Sequence, residues 1–479
     1  MMGVQDQAVL DENAAALGVP RKQLMESSGS AVARVVRDVA ESGSQVAIVA
    51  GRGNNGGDAF VTARFLKGYD VTVHLLGRAE TITTDIAREN WDALQRAEVD
   101  ARELRDSTGL DLGDPDVVVD AMLGTGVTGA LREPEATAAE RIAETDATVV
   151  AVDVPSGVDA NTGEAAGAAV DADHVVTFHD QKPGLVDLDA DVTVADIGIP
   201  EAAERFVERG DLLRLSRDPQ SHKGDHGEVL VIGGGPYTGA PALTAQAAFR
   251  AGADLVRVAC PSSVAREVQS FSEGIIVRPF TGDLLEPSHV DQLLDRAVEH
   301  DVVVIGPGLG NATGTLEAVE EFLGEFDGRA VVDADALQVV PEADTDATLL
   351  CTPHQGELRT MGGETDESWE TRAELVESFA ADLGHTLLVK GAYDVISDGE
   401  TTRVNRTGNP GMTVGGTGDV LAGASGALVA TQEPIHAGAI AAYANGRAGD
   451  IAVEEFGHGL VAPDLVDALP TALWGGADE

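Results

Sequence analysis

Basic residues are scarce in this chain. Against 81 Asp and Glu stand 32 Lys and Arg in 479 residues, a formal charge of −49. Only five of the bases are lysine: Lys22, Lys67, Lys182, Lys223 and Lys390. So acidic a chain repels phosphate backbones and anionic headgroups, which excludes nucleic acid and membrane surfaces as expected partners. Cysteine is nearly absent. Cys260 and Cys351 lie in short apolar or Pro-flanked segments and form neither a disulfide framework nor a metal spacing, so they read as buried core thiols. No run of ~18 apolar residues is present, and the first residues lack the pattern of a signal peptide. A soluble, cytoplasmic protein is expected. No Gly-Lys dipeptide occurs, which excludes a Walker-type phosphate loop.

What is present argues for a folded protein. Apolar residues make up 43% of the chain, and the acids are scattered rather than gathered in a tail, so disorder is excluded. A folded, uniformly acidic, lysine-poor surface suits concentrated salt, where screening removes most self-repulsion. A potassium chloride-rich cytoplasm, as in salt-loving archaea, is the expected setting. The length accommodates two or three domains.

In the first half, helical spacing over Val4–Leu17 and Pro20–Val36 gives way to short apolar runs alternating with helical patterns. Gln45–Ala50, Val71–Leu76, Val117–Met122, Thr148–Val154, His174–Phe178 and Val192–Ile197 read as buried strands of a parallel, doubly wound α/β sheet. Ligands of such sheets bind in the loops after the strands. Gly51-Arg-Gly-Asn-Asn-Gly-Gly-Asp58 follows the first strand and matches G-x-G-x-x-G. An ordinary dinucleotide fold places an acid about 20 residues on, where this chain has Leu76-Gly77-Arg78, so a common NAD dehydrogenase is disfavoured. Gly124-Thr-Gly-Val-Thr-Gly129 follows the strand ending at Asp120, and Pro155-Ser-Gly-Val-Asp159 follows Asp153. Asn55, Asp120 and Ser156 thus offer oxygen ligands after three separate strands. One carboxylate among neutral oxygens suits a monovalent cation better than calcium.

In the second half, Glu228–Ile232, Asp254–Ala259, Val302–Ile305, Ala330–Val332, Thr348–Cys351 and Thr386–Val389 continue as strands, with a helix expected over Ala242–Ala251. Glycine loops follow at 233–241 and 306–310. The chemistry is expected at Asn409-Pro-Gly-Met-Thr-Val-Gly-Gly-Thr-Gly-Asp-Val-Leu421, just before an apolar small-residue helix. Glycines ahead of a helix let backbone N–H groups gather round an anion, and the dipole adds to the attraction. Asp419 then places a base beside an anion cradle. Its alternative is an N-cap, as is that of Thr417. Between the halves, Glu201–Gln220 is charged and motif-free, and it reads as a linker at about 205–220.

Leu24-Met-Glu-Ser-Ser-Gly29, Asn54-Asn-Gly-Gly-Asp58, Asp120-Ala-Met-Leu-Gly-Thr-Gly126, Asp153-Val-Pro-Ser-Gly-Val-Asp159 and Lys182-Pro-Gly-Leu185 together resemble the NAD(P)H-hydrate epimerase family. His222-Lys-Gly-Asp225, Tyr237-Thr-Gly-Ala240, Thr352-Pro-His-Gln-Gly-Glu357, Val389-Lys-Gly-Ala-Tyr-Asp394 and the Asn409–Asp419 stretch resemble the ADP/ATP-dependent NAD(P)H-hydrate dehydratases of the ribokinase-like superfamily. The resemblance implies a Rossmann-like domain over 1–212 and a ribokinase-like α/β sandwich over 213–479. In the first, it implies that Asn54, Asn55, Gly56, Gly57, Asp58, Gly124, Thr125, Gly126, Val127, Thr128, Gly129, Ala130 and Asp153 hold the hydrated nucleotide. Asp153 is also the candidate catalytic carboxylate there, and Asn55, Asp120 and Ser156 hold potassium. In the second, it implies that Ala240, Gly308, His354 and Asp419 contact the hydrate. Lys390, Gly391, Ala392, Tyr393, Asp394 and Gly418 then contact ADP or ATP, which carries Mg²⁺. Asp419 is the implied base.

The implied activity is twofold: exchange of the R and S hydrates of NADH and NADPH, then nucleotide-driven dehydration of the S form. A ribokinase-like vitamin kinase with a regulatory first domain and a non-catalytic nucleotide sensor are the competing readings. The choice between ADP and ATP stays open, as does assembly into a homo-oligomer.

Overall fold

The computed structural model describes residues 3–126 and 129–475, with the side chains of Val4 and Thr108 excepted. The chain divides into two compact units after Ala203. The first holds seven strands: β1 Gln45–Ala50, β2 Asp70–Leu76, β3 Asp100–Leu104, β4 Val117–Ala121, β5 Thr148–Val152, β6 His174–Phe178 and β7 Asp191–Ala195. They form one sheet in the order β3-β2-β1-β4-β5-β6-β7, parallel throughout. Strand order reverses between β1 and β4, so a crevice opens beyond their C-terminal ends.

Six of these strands sit where apolar runs placed them. The seventh, β3, is Asp-Ala-Arg-Glu-Leu at the sheet edge, with Asp100, Arg102 and Glu103 exposed. An edge strand with one solvated face needs no apolar run, so its sequence carries no strand signal. Helices Val4–Ala16 and Arg21–Val39 lie within a residue or three of expectation.

The second unit contains β8 Glu228–Ile232, β9 Leu255–Ala259, β10 Ile276–Val277, β11 Val302–Ile305, β12 Arg329–Val332, β13 Thr348–Cys351, β14 Thr386–Val389, β15 Asp394–Ser397 and β16 Thr402–Asn405. Their order is β10-β9-β8-β11-β12-β13-β14-β15-β16. The strands run parallel up to β14, and β15 and β16 close the sheet antiparallel. Here the order reverses between β8 and β11. Along β8, Val229 and Val231 pack into one core and Leu230 and Ile232 into another, both layers fully buried. Each such side chain contributes roughly 1.5–3 kcal/mol on burial. Both cysteines are buried in these layers, and burial pushes their thiols up to about 11 for Cys260 and about 12 for Cys351. Among the described residues no helix is long and apolar enough to cross a membrane.

The stretch expected as a linker is instead packed. Val207 is fully buried and donates its N–H to the Val404 carbonyl at 3.0 Å. Asp211 and Arg403 form a buried pair at 3.0 Å, their side chains 2% and 9% exposed. The sequence hides this because the partners lie nearly 200 residues on. A fragment beginning at Glu204 is therefore expected to fold. One beginning at Gln220 leaves Arg403 uncompensated and should be less stable by about 3–5 kcal/mol. Urea denaturation of the two fragments checks this, and equal midpoints would contradict it.

Candidate functional site

In the first unit the loop after β1 presses against the loop after β4. A Cβ on Gly51 would lie 1.8 Å from the Met122 carbonyl oxygen, and one on Gly56 would lie 2.1 Å from the Gly51 oxygen. Only glycine allows that approach. Helix Asn54–Phe65 starts directly from this turn, so its N-terminal N–H groups face the crevice. A cavity of about 570 Å³ opens there, lined among others by Asn54, Asn55, Asp58, Gly124, Thr125, Gly126 and Asp153. Gly56 and Gly57 are not among its lining residues: Gly56 packs on Gly51, and Gly57 on Met25. Gly129 lines a neighbouring cavity of about 290 Å³, and Ala130 is exposed beside Gly167. Val127 and Thr128 lie outside the described residues.

Asn55, Asp120 and Ser156 are brought together around Leu123. Asn55 Nδ2 donates to the Leu123 carbonyl at 3.0 Å, and Leu123 N–H donates to Ser156 Oγ at 3.0 Å. Asp120 is fully buried and accepts from Ser156 Oγ and Ser156 N–H at 2.7 Å each, and from Met122 N–H at 3.2 Å. Burial still pushes its carboxyl up to about 6, and no cationic side chain offsets it among the described residues. The carboxylate is held by two N–H groups and one hydroxyl and lacks a counter-charge, and with the Asn55 and Ser156 side-chain oxygens and the Leu123 carbonyl close by, the donor set is one that suits a monovalent cation.

Asp153 takes a left-handed backbone, φ 67°, which costs a non-glycine residue of order 1 kcal/mol. Its Oδ1 accepts from Thr177 Oγ1 at 3.2 Å and lies 3.8 Å from Lys182 Nζ. Burial holds Asp153 above the ordinary carboxylate range, opposed chiefly by Lys182. Asp58 is raised well above that range, by burial and then by Asp153 and Asp11.

In the second unit the loops after β8 and β11 meet. Gly308 has φ 74°, and a Cβ there would lie 2.5 Å from the Tyr237 oxygen and 3.3 Å from the Ala240 Cβ, so Ala240 and Gly308 share a wall. Gly306 lets this loop reach Asp333, since a Cβ would fall 1.9 Å from the Asp333 oxygen. Lys390 N–H donates to the Pro353 carbonyl at 2.8 Å, setting Lys390 beside His354. Its Nζ donates to Asp333 Oδ1 at 2.9 Å and lies 3.8 Å from Glu357 Oε2. Thr352 Oγ1 donates to the same Asp333 oxygen at 2.8 Å.

His354 caps helix Gln355–Thr360. Its Nδ1 accepts from the N–H groups of Gly356 and Glu357 at 2.9 and 3.0 Å. That leaves the proton on Nε2, which lies 3.5 Å from Glu357 Oε1 on a side chain 60% exposed. Asp394 Oδ1 accepts from Gly391 N–H and its Oδ2 from Asn405 Nδ2, both at 2.9 Å, which closes the 390–394 loop; burial pushes its carboxyl up to about 6. Ala392 is exposed, and the Tyr393 ring stacks on Trp369 at 5.5 Å.

Helix Thr417–Val429 begins at Gly416, φ 99°, with no side-chain cap. Thr417 Oγ1 donates instead to the Met412 and Val414 carbonyls. Asp419, in the first turn, makes no cap either, so the capping reading of both residues is set aside. A Cβ on Gly418 would be 3.5 Å from Lys390 Nζ, which joins this helix start to the Lys390–Asp333 pair. Burial and then Asp333 push the Asp419 carboxyl up to about 7, with Lys390 opposing. The residues that the sequence reading did not single out are Asp333 and Arg372, whose guanidinium holds the Tyr393 carbonyl at 3.0 Å. Asp333 carried a signal in retrospect: like Asp120 and Asp153, it is an acid ending an apolar strand.

Two family models match the chain. One described as "YjeF-related protein N-terminus" covers residues 21–184, and one described as "NAD(P)H-hydrate dehydratase" covers 229–471. The bifunctional NAD(P)H-hydrate repair enzyme Nnr of Methanothermobacter thermautotrophicus is 44% identical over 98% of this chain and 94% of its own length. The chain belongs to the bifunctional NAD(P)H-hydrate repair enzyme family. The repair enzyme of Archaeoglobus fulgidus is likewise 44% identical, over 98% of this chain and 97% of its own. Among solved structures, the ADP/ATP-dependent NAD(P)H-hydrate dehydratase from Bacillus subtilis, co-crystallised with ATP and Mg²⁺, matches with a TM-score of 0.50. It is 28% identical and covers 57% of this chain and 98% of its own. That match is to the fold class expected of the second half of a repair enzyme.

For a base at Asp419, the raised carboxyl makes a definite pH prediction. A base must be ionised to work, so dehydration should rise with pH through about 7 and level off above it. Its folded value lies above that of an unfolded aspartate, so the ionised form disfavours folding. Stability tied to it should grow as pH falls from about 7 toward 4. Asp419→Asn should lose both dependences and slow dehydration roughly 10²–10⁴-fold. Turnover at the wild-type rate would remove Asp419 from the chemistry.

Proposed function

We propose that the chain carries out both reactions of its family, epimerising the R and S hydrates of NADH and NADPH in the first unit and dehydrating the S hydrate in the second. The single observation behind this is that family similarity runs over nearly the whole chain while each half keeps its own strand-end site. That breadth disfavours a vitamin kinase with a regulatory first domain, which accounts for neither the first site nor the His354–Glu357 stretch.

For dehydration, hydroxide is a poor leaving group and phosphate a good one. Asp419 takes the proton of the substrate hydroxyl as the terminal phosphoryl group of ADP or ATP transfers to it. Elimination of phosphate then restores the ring double bond. Lys390, released in part from Asp333, and the N–H groups at the start of helix Thr417–Val429 stabilise the phosphoryl oxygens. Mg²⁺ enters with the nucleotide and offsets the charge of its phosphates. Ala240, Gly308 and the Nε2–H of His354 hold the hydrate, and residues 390–394 with Gly418 hold the nucleotide.

For epimerisation, residues 54–58, 124–130 and Asp153 hold the hydrate, while Asn55, Asp120 and Ser156 hold potassium. The cation supplies the charge that buried Asp120 lacks and fixes the Leu123–Gly124 turn at the cavity. The acidic surface suits a potassium chloride-rich, cytoplasmic setting, since at 1 M salt charges are screened within about 3 Å.

A purified R hydrate supplied with nucleotide tests the pairing of sites. The full chain should convert it completely to NADH, followed by absorbance, and the fragment beginning at Glu204 should convert none. Replacing potassium with tetramethylammonium at matched ionic strength should slow the full chain, and Asp120→Ala should abolish the response. Conversion of the R form by the fragment alone would refute the division of labour.

A further inference from the structure

One group of titratable residues in the first unit is not accounted for by the family assignments. Helix Val4–Ala16 places Gln7 and Asp11 one turn apart, and Gln7 Nε2 donates to Asp11 Oδ1 at 2.9 Å. The other end of the same amide, Gln7 Oε1, accepts from Lys182 Nζ at 3.3 Å. Lys182 Nζ also donates to the Phe178 and Asp180 carbonyls at 2.9 and 3.2 Å and lies 3.8 Å from Asp153 Oδ1. Gln7, Asp11 and Asp153 all line the cavity of about 570 Å³. Asp11 reaches it from the N-terminal helix and Asp153 from the end of β5, so two carboxylates approach one cavity from two different elements.

Epimerisation needs such an arrangement. The R/S centre of the hydrate carries a hydroxyl on the carbon next to the ring nitrogen. Inverting it requires proton transfer to oxygen on one face of the ring and from oxygen on the other. A single carboxylate serves only one of those faces. We propose that Asp11 is the second proton-handling residue of the epimerase, working opposite Asp153, with Gln7 and Lys182 holding the two carboxylates in register. This rests on the epimerase reading above and deepens it.

The step balances as follows. A protonated carboxyl gives its proton to the substrate hydroxyl, the C–O bond breaks, and water leaves while the ring-nitrogen lone pair forms a C=N bond. Water then adds to the opposite face of that carbon, the π pair returns to nitrogen, and the added water gives its proton to the other carboxylate. One carboxyl has lost a proton and the other has gained one. Exchange with solvent in the open cavity, or turnover of the opposite epimer, resets the pair.

The electrostatics agree with this protonation pattern. The charged groups facing Asp11 are Arg21, Asp58, Asp153 and Lys182. Burial, assisted by Asp153, holds Asp11 above the ordinary carboxylate range against the pull of Gln7, Arg21 and Lys182. Lys182, 1% exposed, is the buried ammonium beside Asp11 and Asp153, and burial holds these two and Asp58 above the ordinary carboxylate range.

The test uses the full chain in potassium buffer with a purified hydrate epimer, following the two epimers by NMR. Wild-type exchange no faster than the uncatalysed rate would sink the epimerase reading itself. Given wild-type exchange, Asp11→Asn keeps the hydrogen bond from Gln7 and should lower kcat roughly 10²–10³-fold, with KM changed by less than about fivefold. It should also remove one limb of the pH profile of exchange. Asp11→Glu should recover part of the rate and shift that limb, and it serves as the readout if the Asn variant does not fold. Exchange by Asp11→Asn within about threefold of wild type overturns the proposal. So does a slower rate with an unaltered pH profile, which would leave Asp11 a structural role only.

Discussion

The ion pair between Lys390 and Asp333, 2.9 Å long at the ends of β14 and β12, is the constraint on which the second site depends. An acid at the end of a buried parallel strand loses hydration, and only a fixed cation or a set of N–H groups restores its balance. This chain has few cations to place. Of five lysines it sets a half-buried Lys390 among Asp333, Glu357 and Asp419, and buries Lys182 among Asp153, Asp180 and Asp11. Neighbouring acids hold the Lys390 ammonium above its usual range despite burial, while for Lys182 burial wins and lowers it.

Both sites use the same geometric device. Each sheet reverses its strand order once, between β1 and β4 or between β8 and β11, and each crevice is closed by glycines that let one loop touch the next. Gly51 against Met122 and Gly306 against Asp333 do equivalent work, and any side chain at either position would force the loops apart. Fusing two such units is chemically sensible, because the product of the epimerase is the substrate of the dehydratase.

Much of this was legible in the sequence for a physical reason. Parallel strands buried on both faces are apolar along most of their length, so β1, β4, β5, β8, β11 and β13 appear as short runs rich in Val, Ile, Leu and Ala. Asp120 and Asp153 at strand ends, and Asp419 in its glycine turn at a helix start, stood out because polar groups there have no packing purpose. What escaped has equally physical causes. Strand β3 is solvated, and β15 (Asp-Val-Ile-Ser) and β16 (Thr-Arg-Val-Asn) carry polar residues where the recognised strands carry apolar runs. The buried pairing of Asp211 with Arg403, and the meeting of Asp11 with Lys182 and Asp153 at one cavity, are made only by folding. Contacts of long sequence separation leave no local pattern to read.

The central claim is that phosphoryl transfer in the second unit leads to elimination and not to a stable phosphorylated alcohol. The most direct measurement is product stoichiometry when the full chain consumes a mixed hydrate preparation with limiting ADP. The account predicts one AMP and one inorganic phosphate for each NADH formed, with both epimers exhausted when ADP is in excess. A phosphorylated product that accumulates without NADH would contradict it and return the chain to the kinases.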